Sequence, residues 1–211
     1  MLLIKKGAEA DLYLEEWYGI RIIRKMRKVK EYRLPSLDQT IRHERTGHEA
    51  QIMHDAKLAG VPTPTIYMVD FVTTTIIMEY IEGSRIKDAL NTLASDERQR
   101  LCETLGHLIG RLHRKGIIHG DLTTSNIILD KNGKIFFIDF GLAEYSEEVE
   151  KRGVDLLLMK RALQSTHYNY DRDCFNAIID GYCKEMGKEQ AEQVVTRVSI
   201  IEKRGRYAVE K

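Results

Sequence analysis

The sequence contains no apolar run that approaches the ~18 residues of a membrane-spanning helix, and its start, MLLIKK, is too short for the apolar region of a signal peptide. Its three cysteines, Cys102, Cys174 and Cys183, form no CxxC pair, a pattern typical of buried or incidental thiols in a reducing compartment. The formal net charge is only +1, so no overall field favours nucleic acid or a membrane surface. We therefore expect a cytoplasmic protein that makes no membrane contact.

The stretch from Ile117 to Gly141 carries three oxygen-bearing side chains at fixed spacing, Asp121, Asn126 and Asp139. Two apolar runs separated by Asn132-Gly133 lie between Asn126 and Asp139, and Asn-Gly suits a tight hairpin because both central residues can take positive φ. Such a hairpin brings Asn126 and Asp139 out at the same end. Paired oxygen ligands suit Mg²⁺, and Asp121 beside them can accept a proton from an attacking hydroxyl. This is the layout of phosphoryl transfer from a metal-bound nucleotide.

Two motifs in this stretch match a known pattern. HGDLTTSN, at 119–126, resembles the catalytic loop of protein kinases, and Asp139-Phe140-Gly141 resembles their metal-binding triplet. Both occur in the kinase order and spacing, whereas an ordinary surface hairpin does not require a second Asp at its far end. The resemblance implies ATP and Mg²⁺ as cofactors. It implies Asp121 as the catalytic group and Asn126 and Asp139 as the metal ligands.

The composition, 43% hydrophobic and 31% charged over 211 residues, allows a substantial core and suits one large domain or two small lobes. The kinase resemblance implies an α+β protein with a minimal bilobal protein-kinase-like fold. Residues 1–80 would form a small β-rich N-terminal lobe with one long helix. Residues 81–211 would form a reduced helical C-terminal lobe.

A glycine-rich loop covers the phosphates in kinases, between the first two strands. Here the first strand is predicted at Leu2–Lys6, and the following GAEADLY keeps only Gly7 of the usual three glycines. Ala10 takes the place of another glycine, and Glu9 lies near the tip of the loop. An acidic tip is poorly suited to phosphate because like charges repel.

One lysine after this loop is expected to reach the phosphates as a point charge. Lys25 is the preferred candidate, because it follows the predicted strand at Ile20–Ile23 and alternates with Ile23, which would face the adenine. Lys28 and Lys30 remain competitors that the pattern does not exclude.

A helix is predicted from Asp38 to Ala59, ending at Gly60. Glu49 lies on its apolar side, where a carboxylate is costly unless it is paired. In kinases this glutamate pairs with the phosphate-binding lysine, so we expect a Lys25–Glu49 pair. The alternative is an exposed glutamate paired within its own helix.

Two strands are predicted next, at about Thr65–Asp70 and Thr74–Glu79, and the following residues resemble the hinge between kinase lobes. The resemblance implies that the Glu79 carbonyl and the Ile81 amide bond the adenine edge and that Met78 gates the pocket behind it. The expected nucleotide-contacting residues are Gly7, Ala8, Glu9, Leu12, Ile23, Lys25, Met78, Glu79, Ile81 and Ile128.

The C-terminal half is predicted to be helical, beginning with an amphipathic helix that would support the catalytic loop. His113 and His119 are expected to be structural, and Asp155 to anchor the loop backbone. Gly120 stands where most regulated kinases have the arginine that pairs with an activation-loop phosphate. The predicted helices span about Asp96–Lys115, Val154–Ser165, Asp171–Met186 and Lys188–Arg204.

Two basic segments leave alternatives open. Arg21–Arg33 has seven basic residues against one acid, and this fits either a solvated face or an RNA-backbone contact. The end of the chain, from Glu202 to Tyr207, is interpreted as a short mobile basic tail. Its arginines suit a phosphate backbone, and the alternative is a frayed terminus without a role.

Several segments together resemble a narrower family, the small atypical kinase subunit of the KEOPS complex, which is related to the RIO kinases. The segments are GAEADLY, YRLPSLD, TGHEA, HGDLTTSN, IDFG and the RGR near the end, so the resemblance covers nearly the whole chain. Two departures are Leu34, where a histidine is more usual, and a tail that continues past Arg206.

The resemblance implies an ATP-dependent serine/threonine protein kinase and ATPase within KEOPS, the complex that makes the threonylcarbamoyl modification of adenosine in tRNA. The implied direct partner is the sugar-kinase-like catalytic subunit, with tRNA reached through the complex. One alternative is a small-molecule kinase of the aminoglycoside or choline type, disfavoured by the IDFG segment and the short C-terminal half. Another is a kinase fold that only scaffolds an assembly.

Overall fold

The N-terminal part of the chain forms an antiparallel sheet with one long helix. The computed structural model describes residues 1–207. The elements of this part are β1 (Leu2–Lys6), β2 (Ala10–Trp17), β3 (Ile20–Arg27), α1 (Pro35–Leu58), β4 (Ile66–Asp70) and β5 (Thr75–Glu79). The strands form one sheet in the order β1-β2-β3-β5-β4.

A two-residue turn sets the register of β2 against β3. Tyr18 and Gly19 have φ of 50° and 79°, the backbone of a type I′ hairpin. Lys25 consequently lies opposite Leu12. Because side chains alternate along a strand, Ile23 and Lys25 share one face of β3, which is the face toward the cleft described below.

Helix α1 turns its buried side chains, among them Glu49, Ile52 and Met53, toward the interior. It begins at Pro35 in place of the predicted Asp38, because proline is tolerated in the first turn of a helix. It ends at Leu58, close to the predicted end.

The C-terminal part is mainly helical. Its elements are β6 (Gly83–Arg85), α2 (Ile86–Ala89), α3 (Ser95–Arg114), β7 (Ile117–Ile118), β8 (Ile127–Asp130), β9 (Ile135–Phe137), β10 (Glu144–Tyr145), α4 (Val149–Thr166), α5 (Asp171–Met186) and α6 (Lys188–Tyr207). The strands form a three-stranded sheet in the order β6-β8-β9 and a short β7–β10 pair. The predicted hairpin is present as β8 and β9.

Helices α3 and α5 approach each other closely through glycines. A Cβ atom on Gly106 would lie 2.0 Å from the carbonyl oxygen of Ile178, and one on Gly181 would lie 1.9 Å from that of Glu103. Only glycine permits this approach. The closely packed α3–α5 pair lies beneath the loop that follows α3.

Two predictions about the last helices were wrong. Helix α4 begins at Val149, before the predicted Val154, and α6 runs to Tyr207, past the predicted Arg204. The predicted mobile tail from Glu202 to Tyr207 is therefore the last part of a helix. Arg204 Nη1 lies 3.2 Å from the Glu150 carboxylate, so this helix is tied to α4. Residues 208–211, which follow this segment, lie outside the described residues.

One hydrophobic cluster joins the two parts of the molecule, from Met53 of α1 and Ile76 of β5 to Leu105 of α3 and Tyr182 of α5. The predicted α+β, bilobal kinase-like architecture is confirmed, with a β-sheet N-terminal lobe and a helical C-terminal lobe. Within residues 1–207, none of the helices combines the length and the apolar character needed to cross a bilayer.

Candidate active site

Two adjoining cavities, of about 280 and 70 Å³, lie between the N-terminal sheet and the loops that follow α3 and β9. Both are lined by Lys5, Leu12, Lys25 and Asp139, so they form one cleft. The larger also reaches Gly7, Ala8, Glu9 and Asp121, and the smaller reaches Ile23, Glu49, Met78 and Asn126.

The predicted Lys25–Glu49 pair is present at the back of this cleft. The Lys25 ammonium lies 2.5 Å from Glu49 Oε1 and 2.7 Å from Asp139 Oδ1. Glu49 is 1% exposed, and its second oxygen lies 2.6 Å from Arg27 Nη2. A buried carboxylate is stable only when its charge is matched, and two cations from one strand do this here.

These charges shift one another's ionisation. Burial works against the charged form of Lys25, but Glu49 and Asp139 outweigh it and raise the pKa of the ammonium. Burial likewise opposes the ionised form of Asp139, while the charge and hydrogen bond of Lys25 hold the pKa of that carboxyl below its usual value. Both groups are therefore charged at neutral pH.

The competing lysines have other partners. Lys28 lies 3.1 Å from the Asp11 carboxylate and donates to the Gly7 carbonyl at 3.0 Å. Lys30 donates to the Ala8 carbonyl at 2.6 Å. Neither lines the cleft, so Lys25 is the lysine that faces Glu49.

The acidic residue at the loop tip is turned toward cations of its own lobe. Glu9 pairs with Arg45 of α1 at 3.0 Å and with Lys30 at 3.6 Å. The loop is therefore fastened to α1 and to the segment after β3. Its negative charge is largely compensated before any ligand binds.

The loop at 119–126 is held from below by Asp155 of α4, as predicted. The Asp155 carboxylate accepts the backbone N–H of His119 at 2.6 Å and that of Gly120 at 2.9 Å. His113 Nε2 lies 3.4 Å from the same carboxylate, and its Nδ1 lies 2.9 Å from the Tyr182 hydroxyl. His113 is thus a structural residue, as expected.

Gly120 occupies a position that no other residue fits without strain. Its φ is 77°, and a Cβ atom would lie 2.2 Å from the carbonyl oxygen of Leu142. An arginine at this position, as most regulated kinases have, would collide with that backbone. The glycine at this position therefore has a steric reason.

His119 is fully buried and packs against Phe140, with the ring centroids 4.7 Å apart and the ring planes tilted by 40°. Burial lowers the pKa of its ring, although Asp155, Asp121 and Asp139 act in the opposite direction. A neutral ring with Nε2 3.2 Å from the Ile138 carbonyl agrees with the predicted packing role.

Asn126 fixes the orientation of Asp121. Its amide nitrogen donates to Asp121 Oδ2 at 2.7 Å and to the Asp121 carbonyl at 3.0 Å. Asp139 has a φ of 64°, a conformation that Asp tolerates better than most residues. The predicted convergence of Asp121, Asn126 and Asp139 on one cleft is present.

Some predicted nucleotide contacts lie away from the cavities. Within the described part of the chain, Glu79, Ile81 and Ile128 are not among the cavity-lining residues. The Glu79 side-chain carboxylate accepts the backbone N–H of Thr65 at 2.9 Å, whereas the prediction concerns the backbone carbonyl of this residue. Ile138 lines the smaller cavity on the hairpin side, where Ile128 was expected.

Sequence reasoning also missed several residues. Arg27 lies two positions after Lys25 on β3, so strand alternation alone could have placed it on the Glu49 side. Lys5 lines both cavities, yet no motif singles it out. Arg85 and Leu142 line one cavity each.

The fold and the cleft together define a kinase-type phosphotransferase domain, with a sheet-borne lysine facing a loop that carries Asp121 and Asn126. Comparison with known families agrees, because the protein kinase domain family matches residues 19–169. The match begins after the loop at Gly7, where the chain departs from ordinary kinases.

Comparison with individual known proteins shows which family within the protein kinases the chain resembles. The chain is 46% identical over 213 residues to the KEOPS complex subunit Bud32 of Pyrococcus abyssi, covering 98% of this chain and 96% of that protein. It is 44% identical over 205 residues to a probable bifunctional tRNA threonylcarbamoyladenosine biosynthesis protein of Methanothermobacter thermautotrophicus, and 42% over 210 residues to the protein of that name from Methanosarcina barkeri. The chain spans 36% of the length of each of these longer proteins. It therefore belongs to the protein kinase family and, within it, to the family of KEOPS subunit Bud32.

Proposed function

We propose that this chain is an atypical serine/threonine protein kinase and ATPase that works within a KEOPS complex and supports the threonylcarbamoyl modification of adenosine in tRNA. The observation that carries the proposal is the cleft, where Lys25 bridges Glu49 and Asp139 opposite an Asp121–Asn126 pair. An inert scaffold has no need for a buried charge network of this kind, because such networks are costly to maintain.

In this proposal Lys25 contacts the phosphates of ATP, and Glu49 and Arg27 keep its position. Asp121 accepts the proton of the attacking hydroxyl, from a protein side chain or from water. Its orientation by Asn126 supports this role, since a base must point at the proton that it removes.

Asn126 and Asp139 are the proposed Mg²⁺ ligands. The Asn126 amide nitrogen is occupied by Asp121, which leaves the amide oxygen for a cation, and Asp139 keeps one oxygen beside the one bound to Lys25. Within residues 1–207, no cluster of three or more His, Cys, Asp or Glu side chains is arranged to hold a metal. A site with so small a number of protein ligands is consistent with Mg²⁺, because this ion is usually held by one or two carboxylates together with substrate phosphates. When bound, the ion would neutralise charge that develops on the phosphates.

The adenine is proposed to lie against Leu12, Ile23 and Met78, with Gly7, Ala8 and Glu9 at the phosphate end. Glu79, Ile81 and Ile128 keep their predicted hinge and pocket roles as part of this proposal. The lobe boundary is proposed at residue 80, giving lobes of 1–80 and 81–211, and the end of β5 at Glu79 supports it.

The proposed partners are the other KEOPS subunits, chiefly the sugar-kinase-like catalytic subunit, with tRNA reached through the complex. Relatives in which this chain corresponds to 36% of a longer protein support a tight association with a second component. Their names refer to tRNA threonylcarbamoyladenosine biosynthesis.

The test is Mg²⁺-dependent release of phosphate from ATP, and transfer to protein serine or threonine, by the purified chain alone and with the other KEOPS subunits. We expect turnover that rises in the complex and that responds to tRNA. ATP turnover absent both alone and in the complex would favour the scaffold function. Transfer only to a small-molecule hydroxyl would favour the aminoglycoside- or choline-kinase type of reaction.

A further inference from the structure

The first two strands of the sheet are not paired in a regular register. Leu3 lies opposite Tyr13, but Lys5 lies opposite Leu12, so Ile4 is an extra residue in a β-bulge. Without the bulge, Ile4 would face Leu12 and the side chain of Lys5 would lie on the other side of the sheet. Bulges often turn a side chain toward an active site.

The bulge brings Lys5 into a row that crosses three strands. Lys5 lies opposite Leu12, and Leu12 lies opposite Lys25. Residues directly opposite each other in an antiparallel sheet share a face, so two lysines flank Leu12 on the side of the cleft. Both lysines line both cavities, together with Asp139.

The two lysines differ in their partners. Lys25 is neutralised by Glu49 and Asp139. Within residues 1–207 the Lys5 ammonium has neither an ion pair nor a hydrogen bond, although its charge helps to hold the pKa of Asp139 below the usual value. The positive charge of Lys5 is therefore available to a ligand of the cleft.

The loop over the cleft, residues 7–10, provides few free hydrogen-bond donors and no positive charge for an anion. The backbone N–H of Gly7 is already bonded to the Ala10 carbonyl at 3.1 Å and to Asp11 Oδ1 at 3.2 Å. Glu9 at the tip brings no positive charge of its own, and its carboxylate is paired with the cations Arg45 and Lys30. A phosphate chain bound beneath this loop needs a cation from another source.

We propose that Lys5 is a second phosphate-binding lysine, which contacts the polyphosphate chain of the bound nucleoside triphosphate and supplies the attraction that the loop at residues 7–10 lacks. The inference rests on the proposed function, since it requires ATP in this cleft. It assigns a binding role to a residue of β1 outside the residues that the sequence motifs identify.

The neighbouring lysine is a matched control. Lys6 has the same charge and is exposed on the same strand, but it lies opposite Asp11, on the other face of the sheet, and does not line the cavities. Lys5→Gln and Lys6→Gln therefore remove the same charge at nearly the same place. Only the first removes it from the cleft.

The experiment measures the affinities of the full-length chain for adenosine, ADP and ATP in the presence of Mg²⁺, by calorimetry, for wild type, Lys5→Gln, Lys5→Arg and Lys6→Gln. One lost contact between a cation and a phosphate corresponds to about a tenfold weaker binding. We expect Lys5→Gln to weaken ATP binding about tenfold and to leave adenosine binding unchanged. Lys5→Arg should retain most of the affinity for ATP, and Lys6→Gln should match wild type.

Equal ATP affinities for wild type and Lys5→Gln would overturn the inference and leave the proposed function intact. An equal loss for adenosine and ATP would also overturn it, because the effect would then come from the shape of the pocket. Wild-type protein that does not bind ATP at all would overturn the proposed function and the inference with it.

Discussion

The two sides of the cleft hold their functional side chains by different means. On the sheet side, which comprises Lys25, Arg27 and Glu49, position depends on charge, since a buried carboxylate lies between two cations. On the loop side, residues 119–126, position depends on the backbone, because Asp155 accepts two main-chain N–H groups. Loss of a charged side chain on the sheet side should therefore weaken ligand binding. Loss of the hydrogen-bond acceptor Asp155 beneath the loop side should destabilise the fold.

The largest expected effect comes from Asp139, which contacts Lys25 on the sheet side but lies just after strand β9 of the hairpin. We expect Asp139→Ala to lower ATP turnover by at least about 100-fold, because it removes the proposed metal ligand. The fold should remain, since Lys25 keeps Glu49 as a partner. The measurements are ATP hydrolysis and thermal unfolding, and activity within about tenfold of wild type would contradict the metal assignment.

Asp155, which holds the loop at residues 119–126, tests the loop side. Asp155→Ala leaves two buried backbone donors without an acceptor, at a cost of about 1–3 kcal/mol for each. We expect the free energy of unfolding to fall by about 2–6 kcal/mol, as measured by urea denaturation. Asp155→Asn keeps one acceptor oxygen and should lose less. Equal stability of the alanine variant and wild type would show that the loop does not depend on this carboxylate.

Gly120 tests the backbone of the same loop. Gly120→Ala places a Cβ atom against the Leu142 carbonyl at a positive φ, and we expect a loss of about 2 kcal/mol. Gly133 is the matched control, because its φ is 79° and nothing lies within 4 Å of the place that a Cβ atom would take there. Gly133→Ala should cost only about 1 kcal/mol. Equal losses in urea denaturation would mean that the contact with Leu142 adds nothing.

The smallest expected effect is a change in the stability of the fold at acidic pH, caused by Asp139 and its contact with the sheet side. Because the pKa of Asp139 is lower in the folded protein than in the unfolded chain, its ionised form stabilises the fold above the unfolded value of about 3.9. That contribution is lost as the pH falls below this value toward the folded pKa. Unfolding midpoints of wild type and Asp139→Asn should therefore differ at about pH 5 and converge as the pH falls below about 3.9. A constant difference over that range would contradict the assignment.

The elements that the sequence predicted well are those with strong local signals. Helix α3 follows from its apolar periodicity, and the β8–β9 hairpin follows from its Asn-Gly turn. Helix α5 is present over the predicted residues, Asp171–Met186. The early start of α4 was missed because its first turns are polar. Gly153 there is buried against Arg197 and Ile201 of α6, a tertiary contact that no local pattern reveals.

The same limit applies to the cleft. Asp121, Asn126 and Asp139 were predicted because they lie in one short segment with a recognisable spacing. Predicting the Lys25–Glu49 pair also required the order of the strands and helices along the chain, and the pair is present in the structure. Arg27 could have been placed by strand alternation from Lys25, whereas the position of Lys5 depends on a bulge between β1 and β2 that no local turn signal in the sequence encodes.

The proposed catalytic role of Asp121 is tested most directly by Asp121→Asn in the assembled complex, through the rate of Mg²⁺-dependent phosphate release from saturating ATP. The substitution keeps the size of the side chain and removes the group that accepts the proton. The account predicts a rate lower by at least about 100-fold, with ATP affinity close to that of wild type. Turnover at the wild-type rate would contradict the assignment of this cleft as a phosphoryl-transfer site with Asp121 as its base.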